Sequence, residues 1–496
     1  MRWGCRTCGA VPDSAPMKWS RHLAVPVLVA AALVLTACSS STDVPRARQS
    51  SSDVAFTGCE KVACTGTLNG AKYEIKLPKQ WNGTLLIYSH GYRYAQPAPP
   101  AFEPVETSAK SASDDQTAQA LLSQGYALAG SSYKTNGWAV ADGVAAAEDV
   151  HAFFQENVGQ PYRTLVWGDS LGGLITQTIA EKDSAWVDGA APLCGALAGV
   201  VPNMNLALDV SYAVKTLIDP QLKLTGYASY DEAVKNWQSA ITKLVAAAQD
   251  TAGGGTAKVL YIADVVDAPT QTETFDGSTV QSRVKATVEA LATALGYATF
   301  ARYDLEQRFG GNPSGNENID YSKRISADEA QLIDSVTPGS VARFDAAMAA
   351  GTRIAADPKA LSEALASGGD PKGTITAPTI TLHTAADPLV IVQNETFFRT
   401  RFDKAQAEGT ATADLVQLYT VAPSTYPEKP GAPYGAGHCN FTSQSRVAVI
   451  DLLTTWVQGG VFPGQAAIAS AMGDSSGWAS AFQPGPWPRG PETATS

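Results

Sequence analysis

Thr164-Leu165-Val166-Trp167-Gly168-Asp169-Ser170-Leu171-Gly172-Gly173 joins two opposite patterns. The first four residues are a short apolar run that reads as a buried strand, and Leu171 to Glu181 reads as a helix. Between them, Gly168-x-Ser170-x-Gly172 has small residues on both sides of a serine, as a tight strand-to-helix turn requires if it is to hold a hydroxyl exposed. A hydroxyl is a poor nucleophile at neutral pH. It needs a base, a group to orient that base, and donors for the oxyanion. The competing reading is an ordinary glycine-rich turn, so the rest of the chain must supply those parts.

Upstream, Lys72 to Leu77 alternates with period two, and Thr84-Leu85-Leu86-Ile87-Tyr88-Ser89 is a continuous apolar run ending at His90-Gly91. A helix is expected near Lys110 to Ser123, a strand at Tyr126 to Ser131 and a helix near Gly143 to Asn157. Gly189 to Cys194 is a weaker strand because it contains Pro192. One-run strands alternating with helices indicate a parallel sheet covered on both faces. From about Leu197 the rhythm changes to amphipathic helices, near Leu206 to Ile218, Asp231 to Ala248, Val280 to Ala298, Asp328 to Val336 and Val341 to Ala350. The sheet resumes at Thr379 to His383 and Asp414 to Val421, with a last helix over Ser443 to Val457. The expected organisation is a core at 55–196 and 377–460, a helical lid insertion at 197–376 and a tail at 461–496, loose beyond Trp478.

Lys18 and Arg21 precede an apolar run of about 13 residues, Leu23 to Leu35, too short for a spanning helix. Residues 1–37 read as a signal peptide, with Met17 an alternative start. Leu35-Thr36-Ala37-Cys38 resembles the lipobox of exported bacterial lipoproteins, which implies a lipid on Cys38, a tether at 38–54 and a cell-surface location. Ordinary secretion is the alternative. Beyond the leader and Cys38, four cysteines remain, and an even number outside the cytosol suggests disulfides. Cys59 and Cys64 are close enough to staple a local loop.

The 496 residues are 45% hydrophobic and 17% charged, enough for a large core. The formal charge is -11, and the leader removes more basic than acidic residues, so a nucleic-acid partner is excluded. No His-Glu-x-x-His, phosphate loop or dinucleotide fingerprint occurs in a suitable context, so neither a metal nor a cofactor is expected.

On the elbow and the strand order, residues 60–195 and 376–460 resemble the α/β-hydrolase superfamily, a mostly parallel sheet flanked by helices. That family orders its triad as serine, acid, histidine. The resemblance places the acid at Asp387, in the turn after Thr379 to His383. A cap for a helix beginning near Pro388 is its alternative role. Of five histidines, His22 lies in the leader, His90 precedes the proposed oxyanion loop, His151 is in a helix pattern and His383 in a strand. His438, in Gly435-Ala436-Gly437-His438-Cys439, remains. The family's oxyanion donors correspond to the backbone amides of Leu171 and Tyr92.

Cys439 follows that histidine, and Cys194 ends the strand beside the elbow strand. A bridge between them would tie the histidine loop to the sheet, the alternative being two buried thiols. Tannases and feruloyl esterases are similar in having a cysteine after the histidine, but theirs pairs with a cysteine before the nucleophile. Asp169 stands at that position, so their aromatic esters are not implied here. The reaction expected is ester hydrolysis through an acyl-serine, on a small-molecule substrate, with no protein partner implied. An exported exopeptidase with the same triad and a non-catalytic surface lipoprotein are the alternatives.

Overall fold

In the computed structural model, which describes residues 63–182, 185–426, 434–473 and 476–488, the apolar runs pair into one sheet of eight strands. They are β1 (Ala63–Leu68), β2 (Ala71–Lys76), β3 (Thr84–Ser89), β4 (Ala127–Ser131), β5 (Arg163–Asp169), β6 (Gly189–Leu193), β7 (Thr379–Thr384) and β8 (Leu415–Thr420). Their spatial order is β1-β2-β4-β3-β5-β6-β7-β8. β2 runs antiparallel to both its neighbours and every other pair is parallel, the arrangement of an α/β-hydrolase sheet. The residues of the leader, the tether, Cys38 and Cys59 lie outside the described residues.

Burial follows pairing. β2 alternates, whereas β3 and β5 are buried throughout because helices cover both faces. Alternate residues supply the two faces: Leu85, Ile87 and Val166 pack with α2 (Val140–Asn157) and α3 (Leu171–Glu181), which follow α1 (Asp115–Ser123). Leu86, Leu165 and Trp167 belong to the opposite core. Between β6 and β7 the chain forms α4 (Val200–Leu217), α5 (Tyr230–Gln249), α6 (Gly255–Val265), α7 (Val280–Ala298), α8 (Phe300–Phe309), α9 (Ala327–Val336), α10 (Ser340–Ala350) and α11 (Pro358–Ser367). Leu208, Leu260, Leu291 and Phe344 join in a separate apolar cluster there. α12 (Gln393–Ala407) connects β7 to β8, and α13 (Ser443–Gly459), on the second face, precedes α14 (Gln465–Met472). All described residues belong to one compact unit, Ala47–Ser496.

Several elements depart from the sequence reading. β1, α6, α8, α11, α12 and α14 were not expected; nine of the eleven residues of α6 are buried, so no polar stripe marks its helical period. No helix begins at Pro388. Residues 388–392 turn irregularly and α12 starts at Gln393, so Asp387 holds a turn rather than a helix. The tail is also ordered past Trp478, through Ala479 N–H to Tyr419 O (3.0 Å) and Phe482 against the Tyr419 ring (5.4 Å between centroids). The tail's backbone, through the antiparallel bridge between Thr420 and Trp478, pairs part of the outer edge of β8, which would otherwise present unpaired backbone groups.

Candidate active site

Ser170 leaves β5 with φ 62° and ψ −125°, a backbone conformation that costs about 1–3 kcal/mol for a residue with a side chain. The surroundings impose it: Ser170 N–H donates to Leu193 O (2.9 Å), and Ser170 O accepts from Gly173 N–H (2.8 Å). A Cβ on Gly168 or Gly172 would collide with the carbonyl oxygen of Ser89, so only glycine lets the elbow sit this close to β3. Leu171 opens α3, and its amide is among those a helix leaves without an internal partner. Gly91 follows β3 so closely that an added Cβ would be 3.1 Å from that of Ser170. Tyr92, Ser170 and Leu171 line one cavity.

The other two expected residues come to the same sheet end. Gly437 N–H donates to Ala386 O (2.9 Å) and Ala386 N–H to Gly435 O (3.0 Å), while Thr384 Oγ1 donates to Gly437 O (2.8 Å). These bonds fasten the histidine loop to the end of β7. They leave His438 Nε2 2.7 Å from Ser170 Oγ and Nδ1 2.8 Å from Asp387 Oδ2. Asp387 Oδ1 accepts from the amides of Leu389 and Val390, both at 2.9 Å, so the second oxygen is aimed at the imidazole.

Cys439 is bonded to Cys194, across 245 residues and 5.4 Å between Cα atoms. Cys64 is also disulfide-bonded. The tie that Arg446 adds to the histidine loop was not legible in the sequence. The Arg446 guanidinium donates to Cys439 O (3.0 Å) and Phe441 O (2.9 Å), with Nε 3.6 Å from Asp169 Oδ2. Burial pushes the Asp169 carboxyl up, while Arg446 opposes the shift. An ion pair and a disulfide thus converge on the loop carrying His438.

Behind the acid lies a further unexpected pair. His383 Nδ1 is 3.2 Å from Glu395 Oε1 and Nε2 is 2.8 Å from Val390 O. Glu395 Oε2 also accepts from Thr381 Oγ1 (2.7 Å) and Gln417 Nε2 (2.6 Å). Burial disfavours a charge on His383, but the hydrogen-bonded Glu395 carboxylate and nearby Asp387 outweigh it and raise the pKa. The available signal was a histidine inside an otherwise apolar strand, which demands a partner.

Asp387, His438 and Cys439 place ligand-type atoms within 4.8 Å of one another. The carboxylate and imidazole are bonded to each other, and the sulfur is in a disulfide rather than a thiolate. This set is arranged to move a proton, not to enclose a cation.

Residues 67–429 match the model of the "Tannase-like family of unknown function (DUF6351)". An o-phthalyl amidase of Xanthobacter agilis is 28% identical over 181 residues, which are 36% of this chain and 34% of that relative. The chain thus matches about a third of the length of that relative. Among solved structures, an esterase from Aspergillus oryzae aligns with TM-score 0.38 and 14% identity, over 84% of this chain and 86% of that one. Feruloyl esterase B from Aspergillus oryzae aligns with TM-score 0.41 and 14% identity, over 81% and 82%.

Proposed function

We propose, from the premise that the chain belongs to the tannase-like family, an exported serine hydrolase that cleaves carboxylic esters through an acyl-Ser170 intermediate. The observation that carries this reading is the unbroken line from Ser170 to His438 to Asp387, contacts of 2.7 and 2.8 Å between residues 268 and 51 positions apart. His438 Nε2 takes the Ser170 proton as Oγ attacks the ester carbonyl carbon. Asp387 fixes the Nδ1–H tautomer and stabilises the imidazolium. The amides of Leu171 and Tyr92 receive the oxyanion, the first helped by the positive end of α3. His438 then protonates the departing alcohol, and water repeats the sequence on the acyl-enzyme.

Ser170→Ala is expected to lower kcat on p-nitrophenyl butyrate by about 10⁴ or more, and a fluorophosphonate to label Ser170 in the unaltered protein. Hydrolysis that survives the substitution unchanged defeats the reading. The amidase match favours a second substrate type, an amide attacked by the same serine. An ester and an anilide of one acyl group separate the two, since turnover of only the anilide removes the esterase. Export and a lipid on Cys38 rest on the leader sequence.

A further inference from the structure

A cavity opens against Ser170 and Leu171 and runs between the sheet's carboxyl end and helices α4 and α7. No lysine, arginine, aspartate, glutamate or histidine is among its lining residues. Three of its polar side chains, Asn203, Trp138 and Tyr297, are already engaged with protein. Asn203 exchanges hydrogen bonds with Asn394 at 2.9 and 3.2 Å and donates to Gly199 O. Trp138 Nε1 donates to Gly368 O (2.7 Å), and the Tyr297 hydroxyl is hydrogen-bonded to that of Tyr94. A substrate group entering here meets Val210, Leu389, Ile391 and five alanines.

The side on which the cavity lies decides which half of an ester it holds. His438 must protonate the leaving alcohol, so that half belongs on the imidazole side, where Glu273 presses against Gly437. The cavity instead touches the nucleophile and the residues of the proposed oxyanion site, Tyr92 and Leu171, and His438 does not line it. That is the position of the acyl group. Its depth is carved by small residues: Ala290 and Ala294 lie four apart on one face of α7, and Ala207 lies on α4.

We infer that this cavity is an acyl-binding pocket for uncharged, apolar carboxylic acids, medium-chain, branched or aryl, and that Ala207, Ala290 and Ala294 set how large an acid it admits. This rests on the ester-hydrolase reading. A carboxylate at the far end of the acyl chain would be stripped of water with no cation to receive it. A methyl-terminated chain of the same length would bury only apolar surface.

The test compares p-nitrophenyl acetate, p-nitrophenyl hexanoate and the mono-p-nitrophenyl ester of adipic acid, whose chain has equal length and ends in a carboxylate. The expected kcat/KM for hexanoate exceeds that for the adipate monoester by about a hundredfold or more. In Ala294→Phe, the hexanoate-to-acetate ratio of kcat/KM is expected to fall at least about tenfold. Ala207→Leu repeats this from α4 if the first variant does not fold. Equal turnover of the two six-carbon esters by the unaltered protein overturns the pocket assignment, as does an unchanged ratio in a folded variant. Acetate hydrolysis that does not depend on Ser170 is a different failure and removes the ester-hydrolase reading itself.

Discussion

His383 Nε2 lies 3.7 Å from Asp387 Oδ2, with both side chains fully buried. The ring faces a carbonyl oxygen through Nε2 and a carboxylate through Nδ1, an arrangement that suits two donors, and its pKa is raised in favour of the imidazolium. The charged groups facing it are Glu395 from α12 and Asp387 from the turn after β7. A cation beside Asp387 competes with His438 for the same negative charge.

His383→Gln keeps a donor for Val390 O and removes that cation. The His438 imidazolium is then favoured, so the acid limb of kcat/KM against pH is expected to move up by about half a unit or more. A merely structural defect would lower the whole profile without shifting it. A profile that keeps its acid limb in place excludes the electrostatic role.

The Cys194–Cys439 bridge closes a span of 245 residues, and loops of such length lose stability of about 3–5 kcal/mol when opened. Replacing both cysteines with alanine is expected to lower the thermal midpoint by several degrees without reductant. The Arg446 bonds to Cys439 O and Phe441 O remain in that variant, so some activity is expected to persist at low temperature. Peptide mapping that recovers both residues as free thiols contradicts the bridge.

Asp264, near the end of α6, has its carboxyl pushed up to about 7 by burial; the Ser326 amide opposes the shift and the Glu329 and Asp267 charges add to it. Its folded pKa lies above the unfolded value, so its contribution is whole below about pH 4 and is lost as pH rises towards 7. Asp264→Asn keeps an acceptor for Ser326 N–H. Thermal unfolding is expected to show little change near pH 4 and a gain at pH 8. A variant that is equally or less stable at pH 8 shows that the aspartate is not ionising at a cost.

If Cys38 carries a lipid, Cys38→Ala in the producing cell should move the protein from the membrane fraction to the soluble exported fraction. Metabolic labelling with a fatty acid supplies the direct check. Label retained by the alanine variant would place the anchor elsewhere.

The elbow was legible because its requirements are local: a buried strand, a strained serine and glycines that admit the Ser89 carbonyl all lie within a few residues of Ser170. The order of Ser170, Asp387 and His438 followed from the resemblance to the α/β-hydrolase superfamily, with the strands before each residue fixing the positions to which it applies. α6 left no such trace, because burial on nearly all sides erases the helical period. The sequence by itself therefore marked seven of the eight described strands and the elbow, and the resemblance it carries placed Asp387 and His438. Only the tertiary structure decided what surrounds them: Arg446 against Asp169, His383 between Glu395 and Asp387, and an uncharged cavity beneath α4 and α7. Those relationships depend on side chains brought together from distant elements, and no periodicity along the chain records which distant partner a buried polar group will find.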